Sequence, residues 1–184
     1  MEAPRPAVPA LVSAPALDTA RLTLRGHRLD DFRDSAALWG DPIVTRYIGG
    51  VPQTEEEGWT KLLRYVGHWS LLGFGYWVIR ERSTGRFLGE AGFADYHRAI
   101  EPSLDGTPEA GWALTPSAQG AGFATEAVRA VHAWGDDHFG GRRTVCLIHP
   151  GNAASIRVAE KVGYVPRVHT AYHGSPTIVF DRVI

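Results

Sequence analysis

The sequence predicts a single α/β domain: a mixed, mostly antiparallel sheet of seven strands with helices on both faces. Three observations carry this. Short apolar segments of strand length recur between stretches whose apolar residues fall at helical spacing. The helical stretches carry recognisable start and stop signals. One strand, Ala110 to Leu114, runs through a glycine loop directly into a helix. The predicted order is β-α-α-β-β-β-α-β-α-β-β, without internal repeats. A chain of 184 residues suits one domain with a substantial core. That domain is expected over residues 17–184. Residues 1–16 hold four prolines and no basic start followed by an apolar block, so they read as a flexible tail and not as a signal peptide.

Arg21 to Arg25 alternates polar and apolar residues, as a strand facing one core does. Asp30 and Asp31 open a short helix with Phe32, Ala36 and Trp39 inward, closed by Gly40-Asp41-Pro42. Thr54 and Glu57 form a capping box for the next helix, whose expected buried stripe is Trp59, Leu62, Leu63, Val66 and Trp69 or Ser70. Gly73 and Gly75 end it. Tyr76–Ile79 and Phe87–Phe93 read as an antiparallel hairpin turning at Ser83-Thr84-Gly85. Asp95 to Thr107 is irregular. After the glycine loop, Ala124, Ala127, Val128, Val131 and Trp134 mark a helix that stops at Gly140-Gly141. Arg143–Ile148 is a buried strand. Asn152 caps a helix with Ile156, Ala159 and Val162 on one side and Gly163 as its stop. Val165–Tyr172 and Thr177–Val183 form a final hairpin around Gly174-Ser175-Pro176.

The composition narrows the function classes. Net charge is −1, with 19 Lys and Arg against 20 Asp and Glu, so no bulk attraction to nucleic acid or to an anionic membrane is expected. No apolar run is long enough to span a membrane. Cys146 is the single cysteine. An internal disulfide is therefore excluded, which fits a reducing, cytoplasmic location. The eight histidines show no ligand spacing such as His-Glu-x-x-His, so no metal site is expected.

The chemistry is concentrated in two strand-to-helix connections. In the first, Gln119-Gly120-Ala121-Gly122-Phe123-Ala124 opens a helix with two glycines. The first turn of a helix leaves backbone N–H groups unpaired, and the helix dipole adds positive charge there. Glycine lets a phosphate approach that backbone closely. The loop is no Walker motif, since Phe123-Ala124 stands where Lys-Ser/Thr is required. It is a poor dinucleotide fingerprint, since Thr125 takes the third glycine place. Two glycines alone also suit a plain turn that binds nothing. The second connection runs from His149 through Asn152 and Ser155 to Gly163-Tyr164.

Together these stretches resemble the GNAT superfamily of acyl-CoA-dependent N-acetyltransferases. Its Gln/Arg-x-x-Gly-x-Gly/Ala signature is carried as Gln119 to Ala124. Its Asn-x-x-Ser/Ala helix ending in Gly-Phe/Tyr is carried as Asn152, Ser155 and Gly163-Tyr164. Thr19 to Arg25, Asp41-Pro42 and Thr125-Glu126-Ala127 resemble the Rim-type branch, the ribosomal-protein N-terminal acetyltransferases. The resemblance spans about residues 17 to 183.

The resemblance implies acetyl-CoA as cosubstrate and an amine acceptor, with no nucleic acid or membrane partner; a homodimer is left open. It implies that two strands splay apart to receive the thioester end of the cofactor. It gives the pyrophosphate to the backbone of Gln119, Gly120, Ala121, Gly122, Phe123 and Ala124. The pantetheine arm falls to the strand edge at Trp112, Ala113 and Leu114, which also supplies the oxyanion donor. Asn152 contacts the cofactor besides capping its helix. The side chain of Trp112 reads as core.

Amine acceptors arrive protonated at neutral pH, since an α-amino group has a pKa near ~8 and a lysine amine near ~10.4. A partly buried glutamate could take that proton directly or through water. Glu109, just before the cofactor strand, is the candidate, against a plain solvated strand-end residue. Glu90 is the reserve. Glu126, in the first turn of the glycine-loop helix, reads as structural, orienting the loop.

The leaving thiolate exposes a departure. Many relatives place a tyrosine acid seven residues after the Asn; here that is Ala159. The Rim-type resemblance offers Ser155 instead, as a hydrogen-bond donor or simply as a second polar group at the helix start. This departure keeps open a catalytically inactive acyl-CoA-binding sensor or interaction module beside the acetyltransferase. Cys146 reads as a buried small residue, and Tyr164 as packing. His97, His169 and His173 are unranked candidates for the acceptor site, and Trp39, Tyr47 and Trp59 for its border.

Overall fold

The structure is a computed structural model and describes residues 13–183. The chain forms β1 (Leu17–Asp18), β2 (Leu22–Arg25), α1 (Phe32–Gly40), the short α2 (Pro42–Thr45), α3 (Glu55–Leu72), β3 (Tyr76–Glu81), β4 (Phe87–Ala94), β5 (Glu109–Leu114), α4 (Phe123–Phe139), β6 (Thr144–Ile148), α5 (Ala153–Lys161), β7 (Val165–Tyr172) and β8 (Ser175–Arg182). One sheet contains all the strands in the order β1-β2-β3-β4-β5-β6-β8-β7. Every neighbouring pair is antiparallel except β5 and β6.

The sheet has eight strands where seven were expected. The addition is β1, whose two residues are too few to carry an alternating pattern. Within the expected tail, Ala14 packs against the core and the Pro15 carbonyl accepts a hydrogen bond from Trp77 Nε1 at 2.8 Å. The remainder of that tail, residues 1–12, lies outside the described residues.

The two faces of the sheet do different work. Trp77, Ile79, Leu88, Ala91 and Phe93 point toward α4 and α5, where they join Val128, Val131 and Ala159 in the main core. Trp69, Trp77 and Trp134 meet edge to face there, with ring centroids 4.6–5.4 Å apart. Burying each such ring stabilises the fold by about 2–3 kcal/mol. On the other face, Val78, Phe87 and Ala113 pack on Leu38 and Trp39 of α1, and Tyr76 stacks on Tyr65 of α3 at 4.5 Å.

The caps fall where the sequence puts them. Thr54 and Glu57 form a reciprocal capping box at α3, and Asn152 Oδ1 accepts from the Ser155 N–H at 3.1 Å at α5. Gly73 and Gly140 end α3 and α4 in the left-handed conformation.

The inward faces of α1 and α3 correct the expectation. In α1, Ser35, Leu38 and Trp39 are buried, while Phe32 stays partly exposed against Trp59 at 5.1 Å. In α3 the buried side is Gly58, Lys61, Leu62, Tyr65, His68 and Trp69, and Trp59, Leu63 and Val66 face outward. Both rows, 61-65-68 and 59-63-66, have helical spacing. The more polar row is the buried one because α3 covers a cleft as well as the core.

Candidate active site

The cleft begins where two strands part. Glu109 of β5 pairs with Val145 of β6, and that is their single bridge. On its other side β5 stays paired with β4 as far as Gly89 and Leu114. Among the described residues, one edge of Ala110–Leu114 is therefore left without a strand beside it. A cleft of about 470 Å³ opens there. Its walls are Glu109–Trp112 of β5, Cys146–Ile148 at the end of β6, Asn152 and Ser155 at the start of α5, Tyr172 and His173 before the final turn, and Trp39, Lys61, Arg64 and Tyr65 from the helices above. Gly111 is required here, because a Cβ would collide with the Tyr76 hydroxyl.

The glycine loop stands at the far end of β5. Gln119 Nε2 donates to the Leu114 carbonyl at 3.2 Å, tying the loop to the strand. Gly120 and Gly122 have φ of 79° and 81°, which only glycine adopts cheaply. Gly122 is the N-cap of α4 and offers no side chain to the first-turn N–H groups. A Cβ at Gly120 would meet nothing within 4 Å, so the loop surface is open. Glu126 braces it: Oε1 accepts from the Thr19 hydroxyl at 2.6 Å and the Arg21 N–H at 2.9 Å, and Oε2 from Arg21 Nε at 2.7 Å. Arg21 Nη1 also donates to the Ala121 carbonyl at 2.9 Å, and its guanidinium lies 4.4 Å over the Phe123 ring.

The fold and the sequence match known proteins. A family model described as the acetyltransferase (GNAT) domain matches residues 21–165. The chain belongs to the GNAT acetyltransferase family. The uncharacterized protein YkkB of Bacillus subtilis is 32% identical over 90% of this chain and 94% of its own. A GnaT-family acetyltransferase from Bordetella pertussis superposes with a TM-score of 0.81 at 31% identity, over 92% of this chain and 99% of that one. The ribosomal L7/L12 α-N-protein acetyltransferase RimL, solved in complex with coenzyme A, shares the fold with a TM-score of 0.72 at 16% identity, over 92% of this chain and 98% of that one. This GNAT chain is thus an acetyl-CoA-dependent acetyltransferase. Its open first turn of α4 and its unpaired β5 edge fit a phosphate-bearing pantetheine thioester.

The candidate catalytic residues are brought together across the cleft. Glu109 is 6% exposed. Arg98 occupies both its oxygens, Nε to Oε2 at 2.6 Å and Nη2 to Oε1 at 2.7 Å, so Glu109 meets the cleft as half of an ion pair. Ser155 lines the same cleft from the first turn of α5, half-buried. Trp112 lines the cleft and its partly buried side chain packs on the core, while Ala113 and Leu114 are buried.

Glu90, the reserve base, is enclosed. It is fully buried, and three donors hold its carboxylate: Ser35 Oγ at 2.6 Å, His27 Nε2 at 3.1 Å and Trp39 Nε1 at 2.8 Å. Burial pushes its carboxyl up, and those donors, His27 first, outweigh it and hold it below the usual range. It does not line the cleft. Ala159 is fully buried in the main core. Cys146 is 1% exposed, and burial pushes its thiol well up, with the Glu109 and Asp181 charges adding to the shift. Tyr164 is core, its hydroxyl joined to His132 Nε2 at 3.0 Å and Thr144 Oγ1 at 2.9 Å.

Of the three unranked histidines only His173 reaches the cleft, and Trp39 and Tyr47 line it whereas Trp59 does not. The sequence reading missed His149, whose ring lies tilted beside Tyr47 at 5.2 Å, and the cations Lys61, Arg64 and Arg98. Lys61 Nζ sits 3.3 Å from the Trp39 ring centroid. Burial pushes its amine down to about 7; the Arg64 and Arg98 charges add to this and Glu90 opposes it. Arg129 and Lys161 are further cations in a shallow hollow beside Gly122, outside the cleft.

Proposed function

We propose that this GNAT acetyltransferase transfers the acetyl group of acetyl-CoA to a primary amine, a peptide N-terminus or a small amine, by direct attack in a ternary complex. The observation that carries this is the single β5–β6 bridge: past Glu109 a bare strand edge and a cleft lie side by side. Bound acetyl-CoA supplies the activated acyl group. The backbone N–H groups of Gln119 to Ala124 hold its pyrophosphate, and the edge at Trp112, Ala113 and Leu114 takes the pantetheine arm and offers an N–H to the developing oxyanion. Asn152 adds a contact from the facing wall. Glu109 receives the amine proton, directly or through one water; a carboxylate oxygen bonded to Arg98 keeps lone-pair capacity for this. Ser155 donates a hydrogen bond to the departing sulfur, its hydroxyl being too weak an acid to give up the proton outright. A buried free Cys146 suits the cytoplasm.

The absence of a tyrosine at Ala159 favours one alternative, an acyl-CoA-binding module without turnover. The test is thiol release from acetyl-CoA in the presence of peptides, polyamines and small amines. Release with any of them supports the transferase. Acetyl-CoA binding with no release from any amine supports the alternative.

A further inference from the structure

We infer that the amine acceptor carries an anionic group, a carboxylate or a phosphate, which is recognised by Lys61 and Arg64 of α3. This rests on the acetyl-transfer reading and specifies its acceptor.

The cleft wall holds three cations, Lys61, Arg64 and Arg98, against one carboxylate, Glu109. Arg98 and Glu109 neutralise each other through their two hydrogen bonds. Lys61 and Arg64 are left over. Lys61 is 8% exposed and takes part in no ion pair among the described residues. Its compensation is the face of the Trp39 ring and, beyond that ring, the buried Glu90 carboxylate that Trp39 Nε1 donates to. A buried ammonium is costly unless paired, so an anion brought by the acceptor would pair with it. Arg64 is exposed, with its guanidinium 5.0 Å from the Tyr96 ring, and it too makes no ion pair among the described residues. The two are three residues apart on one helix and stand on the same side of the cleft.

The phosphates of the cosubstrate do not account for these cations. The open glycine loop and the hollow holding Arg129 and Lys161 lie at α4, outside this cleft. A polycationic acceptor is the wrong occupant, because it would add charge beside Lys61, Arg64 and Arg98. The acceptor instead presents its amine toward Glu109 and an anion toward α3.

The experiment is thiol release by the full chain at saturating acetyl-CoA with four acceptors: Ala-Glu, Ala-phosphoserine, Ala-Gln-amide and spermidine. The expected result is a kcat/KM for Ala-Glu or Ala-phosphoserine roughly tenfold to a hundredfold above that for Ala-Gln-amide, the range of a hydrogen bond to a charged group. The better of the two acidic peptides identifies the anion. Lys61→Met, and separately Arg64→Met at its exposed site, should each collapse that ratio through the acceptor KM and leave the acetyl-CoA KM in place. Equal or better turnover of Ala-Gln-amide or spermidine overturns the inference while acetyl transfer stands. So does a ratio that both variants retain, or an effect confined to the acetyl-CoA KM. Calorimetric titration of the CoA-loaded protein with Ala-Glu and Ala-phosphoserine separates the two readings. Binding that weakens in Lys61→Met without any thiol release supports the anion site and contradicts acetyl transfer. Absence of both binding and release overturns the inference.

Discussion

Arg98 and Glu109 form a two-pronged ion pair at the single bridge between β5 and β6. The pair comes from a loop and a strand end eleven residues apart, and it fixes the carboxylate at the mouth of the gap. Arg98→Met would strand a nearly buried carboxylate and is expected to destabilise the fold by about 3 kcal/mol. Glu109→Gln keeps the shape and removes the proton acceptor. It should lower kcat by about a hundredfold or more, most severely at low pH, where more of the amine arrives charged. Urea unfolding checks the first and steady-state turnover the second. Wild-type rates in Glu109→Gln would remove Glu109 from the role of base.

Lys61 should cost the fold stability at neutral pH. Unfolded, its pKa is about 10.4; folded, burial brings it to about 7. Between those values the unfolded chain binds more protons, so stability rises with pH there and the cost is fullest below pH 7. Lys61→Met should therefore stabilise the protein at pH 6.5, by on the order of 3 kcal/mol, with the gain shrinking toward pH 10. Thermal melts across that range measure it. A destabilised variant at pH 6.5 would mean that Lys61 is paired in solution.

His132 sets an acid limit. Its Nδ1 lies 2.7 Å from the Val128 carbonyl and so carries the hydrogen, leaving Nε2 to accept from the Tyr164 hydroxyl. Burial pushes the ring down to about 4. Unfolded histidine titrates near ~6.5, so the unfolded chain binds the extra proton between these values and stability falls as pH drops through that window. His132→Leu should flatten this acid limb, worth on the order of 2 kcal/mol. Tyr164→Phe should cost about 1–2 kcal/mol at pH 7 by leaving Nε2 unpaired. Urea unfolding at pH 7.5 and pH 4.5 tests both.

Much of this was legible from the chain, and the failures share a cause. Thr54-Glu57, Asn152 and Gly122 act within a few residues of themselves, so caps and the glycine loop could be read locally. The inward face of α3 could not. Periodicity assumes that the buried side of a helix meets an apolar core, and Lys61 and Tyr65 meet a cleft instead, while His68 meets the Arg64 and Asp95 carbonyls. Arg98 and Lys61 escaped notice for the same reason: their partners, Glu109 and Trp39, are set by tertiary placement. The sequence ranks Glu109 ahead of Glu90, but the three donors that close over Glu90 and keep it out of the cleft are set by tertiary placement.

The brace between Arg21 and Glu126 predicts a binding effect without a catalytic one. Arg21→Met removes the guanidinium's contacts to Glu126, the Ala121 carbonyl and the Phe123 ring together and keeps the backbone N–H to Glu126. Acetyl-CoA affinity should fall by roughly tenfold, as for the loss of one charged hydrogen bond, with little change in kcat. Calorimetry and turnover separate the two; a loss in kcat alone would contradict a loop-orienting role.

The central claim is that the glycine loop at α4 holds acetyl-CoA. The most direct measurement is calorimetric titration of the purified protein with acetyl-CoA, repeated on Gly122→Glu. That substitution puts a negative side chain on a left-handed residue at the mouth of the first helical turn. A thermal melt of the variant confirms that it is folded. Micromolar binding by the wild type, lost in the folded variant, is the predicted result. Absence of binding by the wild type, or equal binding by both, would contradict it.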